Sequence, residues 1–176
     1  MLELKKSDNT PRFVPDYTAT SLLDVDFKLL KQRGVRFVAL DADSTLVNYR
    51  GTVIDGRTRK YLLEQRKYIE NWCIASNRIT NDLAPLGESI SVQVIPSSLI
   101  VRKPQKRYFR RIAEYFGADD ASQIAMIGDK LIADIWGANR YGCTTVWVEH
   151  LGRDSFHDRA FRVRQWEHMM MRKHLS

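Results

Sequence analysis

Asp41 and Asp43 are separated by one residue and follow directly on the apolar run Val35 to Leu40, V-R-F-V-A-L. Where a strand gives way to a loop, two carboxylates so spaced can both face one site. One carboxylate can attack phosphorus and form an acyl phosphate. Its neighbour can protonate a leaving oxygen and then deprotonate an incoming water. Taken alone, D-x-D reads more readily as a solvated acidic turn.

Three further groups also follow apolar runs. Ser76-Asn77 closes W-C-I-A and offers a hydroxyl and backbone N–H groups to a phosphoryl oxygen. By itself it is a turn that caps the next helix. Arg102-Lys103-Pro104 puts an ammonium just before a helix N-terminus, where phosphate charge is favoured. By itself it is an exposed basic loop. Gly128-Asp129-Lys130-Leu131-Ile132-Ala133-Asp134 combines a glycine able to turn tightly with a carboxylate able to complete the oxygen shell of Mg²⁺. Asp134 could orient Lys130, a water or that shell. By itself the group is acidic charge at a helix start. The four groups in this order, each at a strand end, make one site the stronger reading.

The elements that must position these residues are legible in outline. Short apolar runs at Val35 to Leu40, Trp72 to Ala75, Val92 to Ile95, Ile124 to Ile127 and Thr145 to Val148 predict five strands. Helices are expected at 21–33 (or two turns there), 57–68, 104–116 and 131–140, with Thr80 capping a short one. Pro104 and Gly117 punctuate the third. The alternation predicts an α/β fold: a parallel five-stranded sheet with helices on both faces, and ligands at the carboxyl ends of the strands. Residues 1–20 read as an irregular lead-in, and 153–176 as a basic amphipathic tail on a single domain spanning 1–176.

The motifs D-A-D-S-T-L-V, S-N, K-P and G-D-K-L-I-A-D resemble those of the haloacid dehalogenase (HAD) superfamily, over roughly residues 13 to 150. The resemblance implies a Rossmann-like domain, Mg²⁺ and an aspartyl-phosphate intermediate. It carries the nucleophile onto Asp41, the acid/base onto Asp43, and phosphate contacts onto Ser76, Asn77 and Lys103. It carries metal ligation onto the Asp41 carboxylate, the Asp43 main-chain carbonyl and the Asp129 carboxylate, with Asp134, Thr45 and Gly128 in support. Asp43 is the residue that the superfamily's dehalogenases lack, which implies the phosphatase branch. The intervals from Asp41 to Ser76 and from Ser76 to Lys103 leave no room for a cap domain. Phe13-Val14-Pro15-Asp16, the L-K-Q-R-G segment before Val35 and Arg102-Lys103-Pro104 are similar to the YqeG family of subfamily IIIA phosphatases. That resemblance implies dephosphorylation of phosphatidylglycerophosphate to phosphatidylglycerol.

A net charge of +7 favours anionic partners. The expected partner is a phosphorylated substrate with an anionic lipid headgroup, and a peripheral membrane contact is open; nucleic acid is not favoured. Lys103, Arg107, Arg110 and Arg111 are expected near one basic face. The tail, with Phe156, Phe161, Trp166 and Met169 among arginines, could lie on a membrane interface or pack on a protein surface. There is no apolar run long enough to span a bilayer and no secretory signal pattern, so a cytoplasmic location, at most peripheral to the inner face of the membrane, is expected. Cys73 and Cys143 read as buried thiols, Trp72 and Trp147 as core, and the four histidines as surface or structural. Two other functions remain open: a phosphatase of soluble or nucleic-acid phosphomonoesters, and a non-catalytic anion- or RNA-binding module.

Overall fold

The computed structural model describes residues 1–4, 6, 10–79, 81–149, 151 and 169. Thr80, all four histidines and, apart from Met169, the 153–176 tail lie outside the described residues, and with them the expectations placed there.

In chain order the elements are β1 (Leu2–Glu3), β2 (Tyr17–Ala19), α1 (Phe27–Gln32), β3 (Phe37–Leu40), α2 (Gly56–Gln65), β4 (Asn71–Ala75), α3 (Ala84–Ser89), β5 (Gln93–Ile95), α4 (Lys106–Phe116), β6 (Ile124–Gly128), α5 (Gly137–Tyr141) and β7 (Thr144–Val148). The strands form one sheet in the order β1-β2-β7-β6-β3-β4-β5. All pairs are parallel except β1 with β2.

β3 is buried along its whole length, as a central strand covered on both faces must be. The period of two divides its side chains: Val38 and Leu40 enter one core, Phe37 and Ala39 the other. β4 and β6 divide in the same way, with Trp72, Ile74, Ala125 and Ile127 on the first side and Cys73, Ala75, Ile124 and Met126 on the second. The first core is closed by Phe27 and Leu30 of α1, Leu62 of α2 and Leu86 of α3. The second is closed by Tyr108, Phe109, Ile112 and Phe116 of α4 and by Ala138 of α5. Cys73 and Cys143 are free and buried, and burial raises both thiols, that of Cys143 to about 12. Trp72 and Trp147 are core residues.

Three sequence expectations are corrected. The sheet has seven strands, because the lead-in supplies two. Tyr17 and Ala19 point inward and Thr18 outward, a pattern of three residues that is too short to stand out beside Pro11 and Pro15. The Asp16 carboxylate pins β2 in place by accepting from Thr145 N and Thr145 Oγ1, each at 2.8 Å. α4 begins at Lys106 with Gln105 at its N-cap, so Pro104 lies in the preceding loop. There it packs against Gly137 of α5. Finally, the expected helix 131–140 opens as a π-helical turn over Leu131–Trp136 before α5. Ile135 N donates to Lys130 O, five residues back. Such widened turns are characteristic of functional sites, and here the turn carries Asp134 inward.

A Cβ on Gly137 would lie 2.7 Å from Phe109 Cε2 and 2.9 Å from Pro104 Cα, whereas one on Gly56 meets nothing within 4 Å. Gly137→Ala should therefore destabilise the fold by about 1–3 kcal/mol in urea denaturation, and Gly56→Ala by none of that. Equal midpoints for the two variants would show that the α4–α5 contact can relax.

Candidate active site

β3 sits between β6 and β4, and this neighbourhood alone brings three of the four motifs together at adjacent strand ends. Leu40 is in register with Ile127 on one side and Ile74 on the other. Asp41 continues the ladder, its N–H donating to Ile127 O at 2.9 Å. Asp129 therefore emerges on one flank of Asp41 and Ser76 on the other.

Asp41, Asp129 and Asp134 are buried and offer carboxylate oxygens all within 4.8 Å of one another. Lys103 reaches into this cluster. Its Nζ lies 2.5 Å from Asp41 Oδ1 and 2.6 Å from Asp134 Oδ1, and donates to Ala75 O at 2.7 Å. Lys103 is thus an interior residue and not part of the exposed basic face formed by Lys106, Arg107, Arg110 and Arg111, which corrects the sequence expectation. Asn77 holds it there: Lys103 N donates to Asn77 Oδ1 at 2.9 Å, and Asn77 Nδ2 donates to Lys103 O at 3.0 Å. The Asn77 amide is accordingly engaged with the Lys103 main chain.

Behind the cluster, Thr45 Oγ1 stands 3.5 Å from Asp129 Oδ1, and Trp147 Nε1 donates to Asp129 O at 2.8 Å. Asp134 Oδ2 accepts from Lys130 N at 3.0 Å. Gly128 is required here for space, since a Cβ would overlap the Asp134 carboxylate.

Asp43 faces a different partner. Its carboxylate takes Arg78 Nε at 2.8 Å and Arg78 Nη2 at 2.5 Å, and Oδ1 also accepts from Arg50 N at 2.6 Å. Arg78 Nη1 donates to Gly51 O at 3.0 Å, which ties the 48–55 flap to the loop after β4. Sequence reasoning passed over Arg78, although it adjoins Ser76-Asn77 at a strand's carboxyl end. It also passed over Ser97, whose hydroxyl donates to Ser76 O at 2.5 Å, and Tyr108, which donates to Ile95 O at 2.8 Å. No local signal marks those two, because each acts on a strand distant in the chain.

Asp41, Asp43, Ser76, Lys103 and Asp134 line one cavity of about 650 Å³, with Arg50, Arg78, Arg102 and Lys130 also on its wall. Burial pushes the Asp41 carboxyl well above the usual carboxylate range; Lys103 opposes this, while Asp134 and Asp129 add to it. Burial likewise raises Asp134 against the pull of Lys103. Burial disfavours the Lys103 ammonium, but Asp134 and Asp41 outweigh it and hold lysine above its ordinary range.

Residues 4–151 match the family model described as mitochondrial PGP phosphatase. The chain belongs to this family. It is a phosphomonoester hydrolase of the HAD type. It is 26% identical over 136 residues to the probable phosphatase YqeG of Bacillus subtilis, covering 77% of each chain. Among solved structures it resembles an uncharacterized protein from Listeria monocytogenes serotype 4b, with a TM-score of 0.55 and 21% identity over 69% of this chain and 84% of that one. It also resembles the putative HAD-hydrolase YfnB of Bacillus subtilis, with a TM-score of 0.50 and 13% identity over 74% of this chain and 99% of that one. These two likenesses concern the fold. No described helix is long and apolar enough to cross a membrane.

The buried Lys103 ammonium opposes the carboxylate charge of the cluster, so the effect of removing it has a definite sign. In chelator, Lys103→Met should cost about 3–5 kcal/mol of stability by urea denaturation at neutral pH. Asp41 already has a raised value in the folded state, so the folded cluster is favoured at low pH and loses that advantage as pH rises through it. The deficit of the variant should therefore shrink as pH falls and the carboxyls take up protons. A deficit that is constant with pH would show that Lys103 does not neutralise this cluster.

Proposed function

We propose that the enzyme works through an aspartyl-phosphate on Asp41, requires Mg²⁺, and takes phosphatidylglycerophosphate as its substrate. The observation that carries this reading is the placement of Asp41: buried at the end of the central strand, on the cavity wall, 2.5 Å from the Lys103 ammonium. An Asp41 oxygen attacks phosphorus while the bond to the leaving oxygen breaks, and Asp43 supplies the proton to that oxygen. Water then attacks the phosphorus of the acyl phosphate, gives its proton to Asp43, and releases phosphate from a regenerated Asp41. Lys103 places positive charge against the phosphoryl oxygens, whose charge persists in the transition state. Ser76, buried at the end of β4, adds a hydroxyl on the cavity wall. Asn77 acts as a positioning residue through its two bonds to the Lys103 main chain, and Arg78 with Arg50 N–H orients Asp43.

The donor set fits a hard divalent cation: the buried carboxylates of Asp41, Asp129 and Asp134 offer oxygens all within 4.8 Å of one another. Asp41, Asp129 and the Asp43 main-chain carbonyl would hold it, with Asp134 in the same cluster. Bound there, Mg²⁺ supplies charge that lets a phosphate dianion approach the carboxylates.

Two features support a lipid headgroup. The matching family is described by PGP phosphatase activity. The cavity wall carries Arg50, Arg78, Arg102 and Lys130 for an anionic substrate.

Asp41→Asn should retain the fold and lower phosphate release by about a thousandfold or more, since the amide is a poor nucleophile. Release near the wild-type rate would sink the mechanism. Excess chelator should abolish activity of the wild type, and added Mg²⁺ should restore it. For the substrate, phosphate release is compared across phosphatidylglycerophosphate, sugar phosphates, nucleotides and 3′-phosphorylated DNA. A preference for any soluble member of that panel would overturn the lipid assignment and leave the phosphatase mechanism standing.

A further inference from the structure

We infer that the mouth of the cavity docks on an anionic lipid bilayer, with Leu99 and Ile100 as the residues that enter it. The inference rests on the lipid reading above and names the surface that reading requires.

β3, β4 and β5 are adjacent and parallel, so the loops that follow them emerge at one end of the sheet. Each loop exposes a large apolar side chain: Val53 in the first, Ile79 in the second, and Leu99 with Ile100 in the third. Leu99 is 81% exposed and Ile100 is 77% exposed, which leaves most of each residue in contact with solvent. They form the tip of a closed turn. Ser98 N donates to Val101 O at 2.9 Å, and Val101 N donates to Ser98 Oγ at 2.9 Å. The turn is therefore braced by one backbone bond and by the Ser98 hydroxyl, with its apolar pair exposed.

Single exposed apolar residues need no explanation, but an adjacent pair on a braced tip is unusual. Its setting selects the partner. Ile100 shares a recess with Lys106, Arg107 and Arg140, and Arg102 follows two residues later on the cavity wall. An apolar tip ringed by cations matches an anionic bilayer: the tip enters the acyl boundary and the cations meet the headgroups. Nucleic acid would use the cations and leave the tip in water. Docked in this way, the cavity mouth faces the layer in which a headgroup phosphate lies.

The test uses the full chain, with vesicles of phosphatidylcholine alone or mixed with phosphatidylglycerol. Wild type should co-sediment with the mixed vesicles, less so as salt rises. Leu99→Ser with Ile100→Ser should weaken that binding by about tenfold or more while leaving turnover of a soluble aryl phosphate unchanged. Leu99→Trp should show a blue-shifted emission on adding mixed vesicles. Absence of wild-type binding, equal binding by the double variant, or no shift in Leu99→Trp would each overturn the proposal. Intact vesicle binding by a protein without phosphatase activity would keep the docking surface and remove the proposed function instead.

Discussion

The site depends on one buried ammonium shared between two buried carboxylates. Lys103 touches Asp41 and Asp134 together, with Asp129 in the same cluster. Burying any one of these charges alone is very costly, and burying three carboxylates together is worse. Much of the surrounding structure serves to deliver the lysine and hold it. The Asn77 amide grips its backbone, Pro104 packs on Gly137, and the Ala75 carbonyl takes a third contact from Nζ. Even so, burial holds Asp41 above its ordinary range, and Asp134 and Asp129 add to this. The cation proposed above would supply charge against these carboxylates.

The sheet order converts distances along the chain into short distances in space. Asp41 and Asp129 are far apart in sequence but leave neighbouring strands, β3 and β6. Lys103 reaches them from a loop between β5 and α4. The π-helical turn over Leu131–Trp136 then brings Asp134 under Gly128, at a place where only glycine fits. A regular helix from Lys130 onward would present that carboxylate differently, so local backbone geometry and charge placement are one arrangement.

A second ion pair governs the entrance. The Arg78 fork on Asp43, with a bond to Gly51 O, joins the flap, the acid/base candidate and the loop after β4. Bidentate contacts of this kind fix orientation as well as charge. The same end of the sheet presents Val53, Ile79, Leu99 and Ile100 outward, with Arg50 and Arg102 on the cavity wall.

From the sequence alone, several of the residues that meet in the cavity could be picked out because they stand at strand ends. Asp41, Ser76, Lys103 and Asp129 each follow or adjoin a recognisable apolar run, and five of the seven strands, β3 to β7, were legible from such runs. Such information is local. Where pairing decided the outcome, the sequence was silent: three inward-outward residues at Tyr17–Ala19 become a strand only because β7 offers an edge and Thr145 binds Asp16. The same holds for side-chain partners. Lys103 looked like one member of an exposed basic face, and only the approach of β3, β4 and the turn after β6 made it an interior charge. Arg78 was passed over in the sequence, and only folding brought Asp43 within its reach. Residue types and their spacing determined what the site could do; the long-range contacts decided which charges would meet, because the energy of a buried charge depends on neighbours that sequence order does not reveal.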